Sequence, residues 1–179
     1  MIANILNAIT LSRIFCAILI YLILFLESNY SLALFLFFIA SFSDFLDGYL
    51  ARKTDSVSVL GEILDPIADK LLIVFVLIGL SINLDSFLIG FISAVIISRE
   101  IWVAALRDIN SRNNQSHKTR VTFLAKTKTA IQMLSILMYL FGLTINNMMT
   151  LFFADIILVI AVLVTIQTGF QYTISTFKK

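Results

Sequence analysis

Four aspartates recur at fixed intervals in this chain, in the run Asp44-Phe-Leu-Asp47-Gly48-Tyr-Leu-Ala51-Arg52, then eight residues, then Gly61-Glu-Ile-Leu-Asp65-Pro-Ile-Ala-Asp69. The flanking stretches 32–40 and 71–80 are apolar or uncharged. Carboxylates at the edge of a hydrocarbon span are costly unless a cation or a water-filled cavity compensates them. The simplest compensation is a pair of divalent metal ions, Mg²⁺ or Mn²⁺, for which carboxylate oxygens are natural hard ligands. On a helix, Asp44, Asp47, Gly48, Ala51 and Arg52 fall on one face, and Asp65 and Asp69, four apart, share another. Two such helices side by side would converge their carboxylates on one cavity. Gly48, Ala51 and Gly61 are small where a ligand or a backbone must come close.

The elements that carry this pattern are membrane elements. Of the 179 residues, 60% are hydrophobic and 13% charged, against about 45–50% and about 25% in an ordinary soluble chain. Stretches of roughly 20 apolar residues are long enough to cross a bilayer, and six candidates are present: 5–26, 31–50, 67–83, 86–106, 128–145 and 150–172. They take up nearly the whole chain, so the expected architecture is all-α, a single integral membrane domain over 1–179 with six transmembrane helices. The first span does not read as a signal peptide, because Arg13 lies inside it and no small-residue cleavage site follows. Cys16, the only cysteine, excludes a disulfide or a cysteine-based zinc site within one chain.

The basic residues set an orientation. All 13 Lys and Arg lie near one set of helix ends, and the opposite connections, near Ser28–Tyr30, Asn83–Ser86 and Asn146–Asn147, contain none. The positive-inside rule then places the aspartate run, the basic segment 99–128 and the C-terminus on the cytoplasmic side. A net charge of +2 does not argue for nucleic acid; the cations suit lipid head groups or a phosphate. Residues 4–13 are expected as a short interfacial lead into the first span. The third helix is expected to begin near Asp65, with Pro66 in its first turn or at a kink. The polar stretch 108–119 reads as a solvated loop, with His117 an ordinary surface residue.

The aspartate run resembles the CDP-alcohol phosphotransferase family, whose pattern D-x2-D-G-x2-A-R-x8-G-x3-D-x3-D is met at every fixed position. The resemblance implies six transmembrane helices, a homodimer, and a two-metal site that opens to the cytoplasm. It makes Asp44, Asp47, Asp65 and Asp69 the metal ligands, with Asp69 also the candidate general base. Gly48, Ala51, Arg52 and Gly61 match the positions that shape the CDP pocket.

Further segments resemble the bacterial branch of that family whose acceptor is glycerol 3-phosphate. They are the run from Asn4 to Arg13, Arg99-Glu100 with Leu106-Arg107, Lys126-Thr-Lys128-Thr129-Ala-Ile-Gln132-Met133, and Gln171-Tyr172. One departure is Ala125, where a glycine is common before the Lys-x-Lys. The implied substrates are CDP-diacylglycerol and glycerol 3-phosphate, in a bacterial cytoplasmic membrane. A dianionic acceptor entering a carboxylate-rich site needs fixed cations, for which arginine's planar donor fork is well suited. Arg13, Arg99, Arg107 and Lys126 are the candidates, with simple anchoring as their alternative and a local Arg99–Glu100 ion pair as another. Two other readings stand beside this one: a family member that takes phosphatidylglycerol and makes cardiolipin, and a divalent-cation carrier. A carrier would need polar groups continuing outward, and 35–40 and 71–80 offer none.

Overall fold

The computed structural model describes residues 2–26, 29–54, 59–119 and 123–178; the side chains of 2–6, 44–54, 59–60, 62, 116–117 and 123–126 lie outside that description. The described residues form six long helices and no strand: α1 (Ile2–Leu26), α2 (Tyr30–Thr54), α3 (Val59–Asn83), α4 (Phe87–Arg112), α5 (Phe123–Thr144) and α6 (Met148–Phe177), with one 3₁₀ turn at Ser116–Thr119. An all-helical build is what an apolar solvent demands, since a helix satisfies its own backbone polar groups.

Short turns fold the chain back on itself. Asp85 and Asn146 take positive φ, 47° and 51°, a conformation that short polar side chains tolerate. Each is followed by a cap: the Ser86 hydroxyl accepts from the Ile89 N–H, and the Asn147 side chain accepts from Met149 and Thr150 N–H.

α1 packs against both α2 and α3, α2 against α5, α5 against α6, and α4 against α3 and α6. α1 and α3 run parallel, as the pairs Thr10–Asp65, Arg13–Asp69 and Leu24–Asn83 show. Gly79 permits their close approach: a Cβ there would stand 3.1 Å from Leu24 Cδ1. The core joins Ile20 and Leu24 of α1 to Phe37 of α2, Leu72, Val76 and Leu80 of α3, and Ile136 and Leu140 of α5. Phe15, Phe35, Phe91 and Phe170 point outward and are exposed, which suits a protein embedded in lipid.

Among the described residues, Asn7–Leu26, Phe87–Arg112 and Met148–Phe177 are long and apolar enough to cross a membrane, and Tyr30–Ser43 is a shorter apolar stretch. In α3 and α5, charged residues sit inside the helix and shorten the uninterrupted apolar run.

Several boundaries differ from expectation, α5 among them, which begins at Phe123 and not near 128. Residues 4–13 run into the first span without a break, since α1 is continuous from Ile2 to Leu26. α3 begins at Val59, so Pro66 lies in its interior; membrane helices tolerate this where neighbours re-satisfy the freed carbonyl. The stretch 108–119 is largely helical, because α4 runs to Arg112 and the 3₁₀ turn takes Ser116–Thr119. α6 continues to Phe177, five residues beyond the expected end of the last span.

Candidate active site

α1 supplies the donors that hold the α3 carboxylates. Thr10 and Arg13, three apart and both 1% exposed, lie on one face of α1. The Thr10 hydroxyl donates to Asp65 Oδ1 at 2.6 Å, and Arg13 Nη1 donates to Asp69 Oδ1 at 2.9 Å. The hard oxygens of Asp65 and Asp69, on successive turns, suit a divalent cation. Among the described residues no group of three or more metal-binding side chains occurs. A complete ligand set would therefore need Asp44 and Asp47. Their backbone lies in α2, and their side chains, like those of Gly48, Ala51 and Arg52, lie outside the described residues. Gly61 is buried in the first turns of α3.

Asp69 also faces a cavity of about 270 Å³ where α3, α4 and α5 meet. Its wall is basic: Lys70, Arg99, Arg107 and Lys128 line it, together with Glu100 and Gln132. Glu100 is the hub of these charges. Its Oε1 accepts from Arg99 Nη1 at 2.8 Å and from Lys128 Nζ, and its Oε2 lies 3.6 Å from Lys70 Nζ. Arg99 is anchored from behind by α6: Nε donates to the Thr165 carbonyl and Nη2 to the Thr168 hydroxyl. Gly169 makes room for its stem, because a Cβ there would lie 3.0 Å from Arg99 Cγ. The Tyr172 ring carries two guanidiniums, Arg99 at 5.8 Å and Arg107 at 5.6 Å from its centroid.

The expected acceptor cations thus divide. Arg99 and Arg107 stand on the cavity, and the local Arg99–Glu100 pair is present as well. Arg13 lies on the carboxylate side, against Asp69. The Lys126 side chain lies outside the described residues. Thr10, Lys70, Glu100, Lys128, Gln132 and Tyr172 join the site in the structure without a role expected from the sequence. The signal in the sequence is the resemblance itself, since Glu100, Lys128, Gln132 and Tyr172 all lie in segments that carry it.

Asp69 and a basic wall meet in one cavity between α3, α4 and α5, an arrangement suited to a charged ligand. Residues 3–167 match the family model described as CDP-alcohol phosphatidyltransferase, and the chain belongs to that family. It is similar, at 38% identity over 172 residues covering 94% of this chain and 93% of that protein, to a CDP-diacylglycerol–glycerol-3-phosphate 3-phosphatidyltransferase of Rickettsia bellii. A protein of the same name from Haemophilus influenzae is 38% identical over 147 residues, 82% of this chain and 78% of its own. One from Pseudomonas fluorescens is 36% identical over 140 residues, 76% of this chain and 72% of its own.

Proposed function

We propose that this enzyme transfers the phosphatidyl group of CDP-diacylglycerol to glycerol 3-phosphate, releasing CMP and forming phosphatidylglycerophosphate. The observation that carries this reading is the cavity itself, in which Asp69 faces the cations Lys70, Arg99, Arg107 and Lys128. The basic wall suits a small phosphorylated alcohol, and the relatives' shared name supports both substrates.

In the transfer, the acceptor's hydroxyl oxygen forms a bond to the phosphatidyl phosphorus while the bond from that phosphorus to the CMP oxygen breaks. The hydroxyl proton passes to the Asp69 carboxylate, which Arg13 orients. Asp44, Asp47, Asp65 and Asp69 would hold two divalent ions, Mg²⁺ or Mn²⁺, which when bound neutralise the diphosphate and the charge growing on departing CMP. Gly48, Ala51, Arg52 and Gly61 shape the CDP pocket, and Arg99, Arg107 and Lys126 meet the acceptor phosphate, with Lys70 and Lys128 added from the cavity wall. Arg13 acts through Asp69, to which it donates.

The chain works as one domain, as a homodimer, with all six helices crossing the bacterial inner membrane and the cavity open to the cytoplasm. The basic side of the molecule supports that orientation. The decisive test is incubation of purified protein with CDP-diacylglycerol and a panel of alcohols, following CMP release. Release that depends on glycerol 3-phosphate upholds the reading. Release driven only by phosphatidylglycerol would replace it with cardiolipin synthesis, and divalent-ion flux in proteoliposomes without CMP release would replace it with transport.

A further inference from the structure

Glu100 carries a carboxylate into the wall that is meant to attract an anion, and taken alone that opposes phosphate binding. Its geometry resolves the conflict. One carboxylate meets cations from three helices: Lys70 of α3 at 3.6 Å, Arg99 of α4 at 2.8 Å, and Lys128 of α5 in direct contact. Glu100 and Lys128 are largely shielded from solvent, at 17% and 8% side-chain exposure. Without a shared counter-charge the shielded Arg99 and Lys128 would repel each other, and Lys70, whose side chain is 40% exposed, would turn to solvent.

We infer that Glu100 is a positioning residue that holds Lys70, Arg99 and Lys128 as a fixed array facing the acceptor phosphate. Three cations less one carboxylate leave a surplus of two positive charges, matched to a phosphate monoester that carries about two negative charges near neutral pH. Arg107, held over Tyr172 apart from this hub, and Asp69 add one charge of each sign to the same cavity and leave that surplus unchanged. The array would favour a compact dianion over an uncharged alcohol, which gives nothing for the surplus charge to meet. This assignment rests on the proposed acceptor, and it names a residue that sets acceptor specificity without touching the reacting atoms.

The test uses the full chain in detergent or nanodiscs, with both substrates varied independently. Glu100→Gln keeps the size but removes the charge and turns one acceptor oxygen into an NH2 donor. It is expected to raise KM for glycerol 3-phosphate about tenfold or more, with KM for CDP-diacylglycerol within about twofold of wild type. Glu100→Asp should recover part of the loss. Asp108→Asn, which removes the exposed carboxylate paired with Arg112 on the same helix, should leave both KM values unchanged. Inorganic phosphate gives a readout independent of turnover: it should raise the unfolding temperature of wild type and not of Glu100→Gln. An unchanged KM for glycerol 3-phosphate in Glu100→Gln, an equal rise in both KM values, or a phosphate shift that survives the substitution would each overturn the assignment. If wild type ignores glycerol 3-phosphate, the proposed function falls. A phosphate shift abolished by Glu100→Gln would still uphold the role of Glu100.

Discussion

Arg13 Nη1 donates to Asp69 Oδ1 over 2.9 Å, joining α1 to α3 through an arginine side chain that is wholly buried and a carboxylate that is 26% exposed. Removing one partner of a buried ion pair costs about 3–5 kcal/mol, because the other charge keeps its desolvation penalty. The partial exposure of Asp69 puts Arg13→Ala at the low end of that range, at about 3 kcal/mol. The variant should unfold at lower temperature in detergent and release CMP more slowly. Arg13→Lys, which keeps the charge but not the planar fork, should recover stability in part.

The carboxylate prediction follows from the proposed metals. Asp44→Asn, Asp47→Asn, Asp65→Asn and Asp69→Asn should each severely reduce CMP release. Chelation of wild type by EDTA should do the same, with recovery on adding Mg²⁺ or Mn²⁺. Full activity in EDTA would remove the metals from the mechanism.

Arg107 and Arg52 should separate the two substrates. Arg107→Ala removes a cation from the cavity wall, and losing one charge-assisted contact costs about 1.5–3 kcal/mol. That corresponds to roughly ten- to a hundredfold in kcat/KM for glycerol 3-phosphate, with affinity for CDP-diacylglycerol nearly unchanged. Arg52→Ala should weaken use of the nucleotide lipid instead. Steady-state kinetics with each substrate varied in turn distinguish the two patterns.

Gly169 tests whether Arg99 depends on close contact between α4 and α6. A Cβ at that position would stand 3.0 Å from Arg99 Cγ, so a bulky side chain must displace the Arg99 stem or push the helices apart. Gly169→Val should destabilise by about 1–3 kcal/mol, the usual range for overpacking. It should also raise KM for glycerol 3-phosphate by displacing Arg99 from the Glu100 hub. Thermal unfolding and kinetics measure the two effects separately.

Orientation is open to labelling. With Cys16 replaced, Ser86→Cys in the turn between α3 and α4 should react with an impermeant thiol reagent from outside intact cells. Ser116→Cys in the 3₁₀ turn should react only after the membrane is opened. The reverse pattern would turn the cavity away from the cytoplasm.

Much of this protein was legible without coordinates. Apolar runs dictate helices, because the bilayer leaves a backbone no other partner than itself. The spacing of Asp65 and Asp69 puts them on one face by helical period alone, and the family pattern is complete within 44–69. Helix ends were less legible, as Val59 and Arg112 show. Polar residues at a membrane edge continue a helix as readily as they end it, and neighbouring helices make the choice. What only the tertiary structure decided is which charges meet. Arg13 could have faced a phosphate or a carboxylate; the parallel register of α1 on α3 brings it to Asp69. Glu100 could have been the private partner of Arg99. The approach of α3 and α5 makes it the shared counter-ion of Lys70 and Lys128 as well. Those contacts join residues far apart in the chain, and Coulomb energy depends on the distance in space that packing sets, not on separation along the sequence.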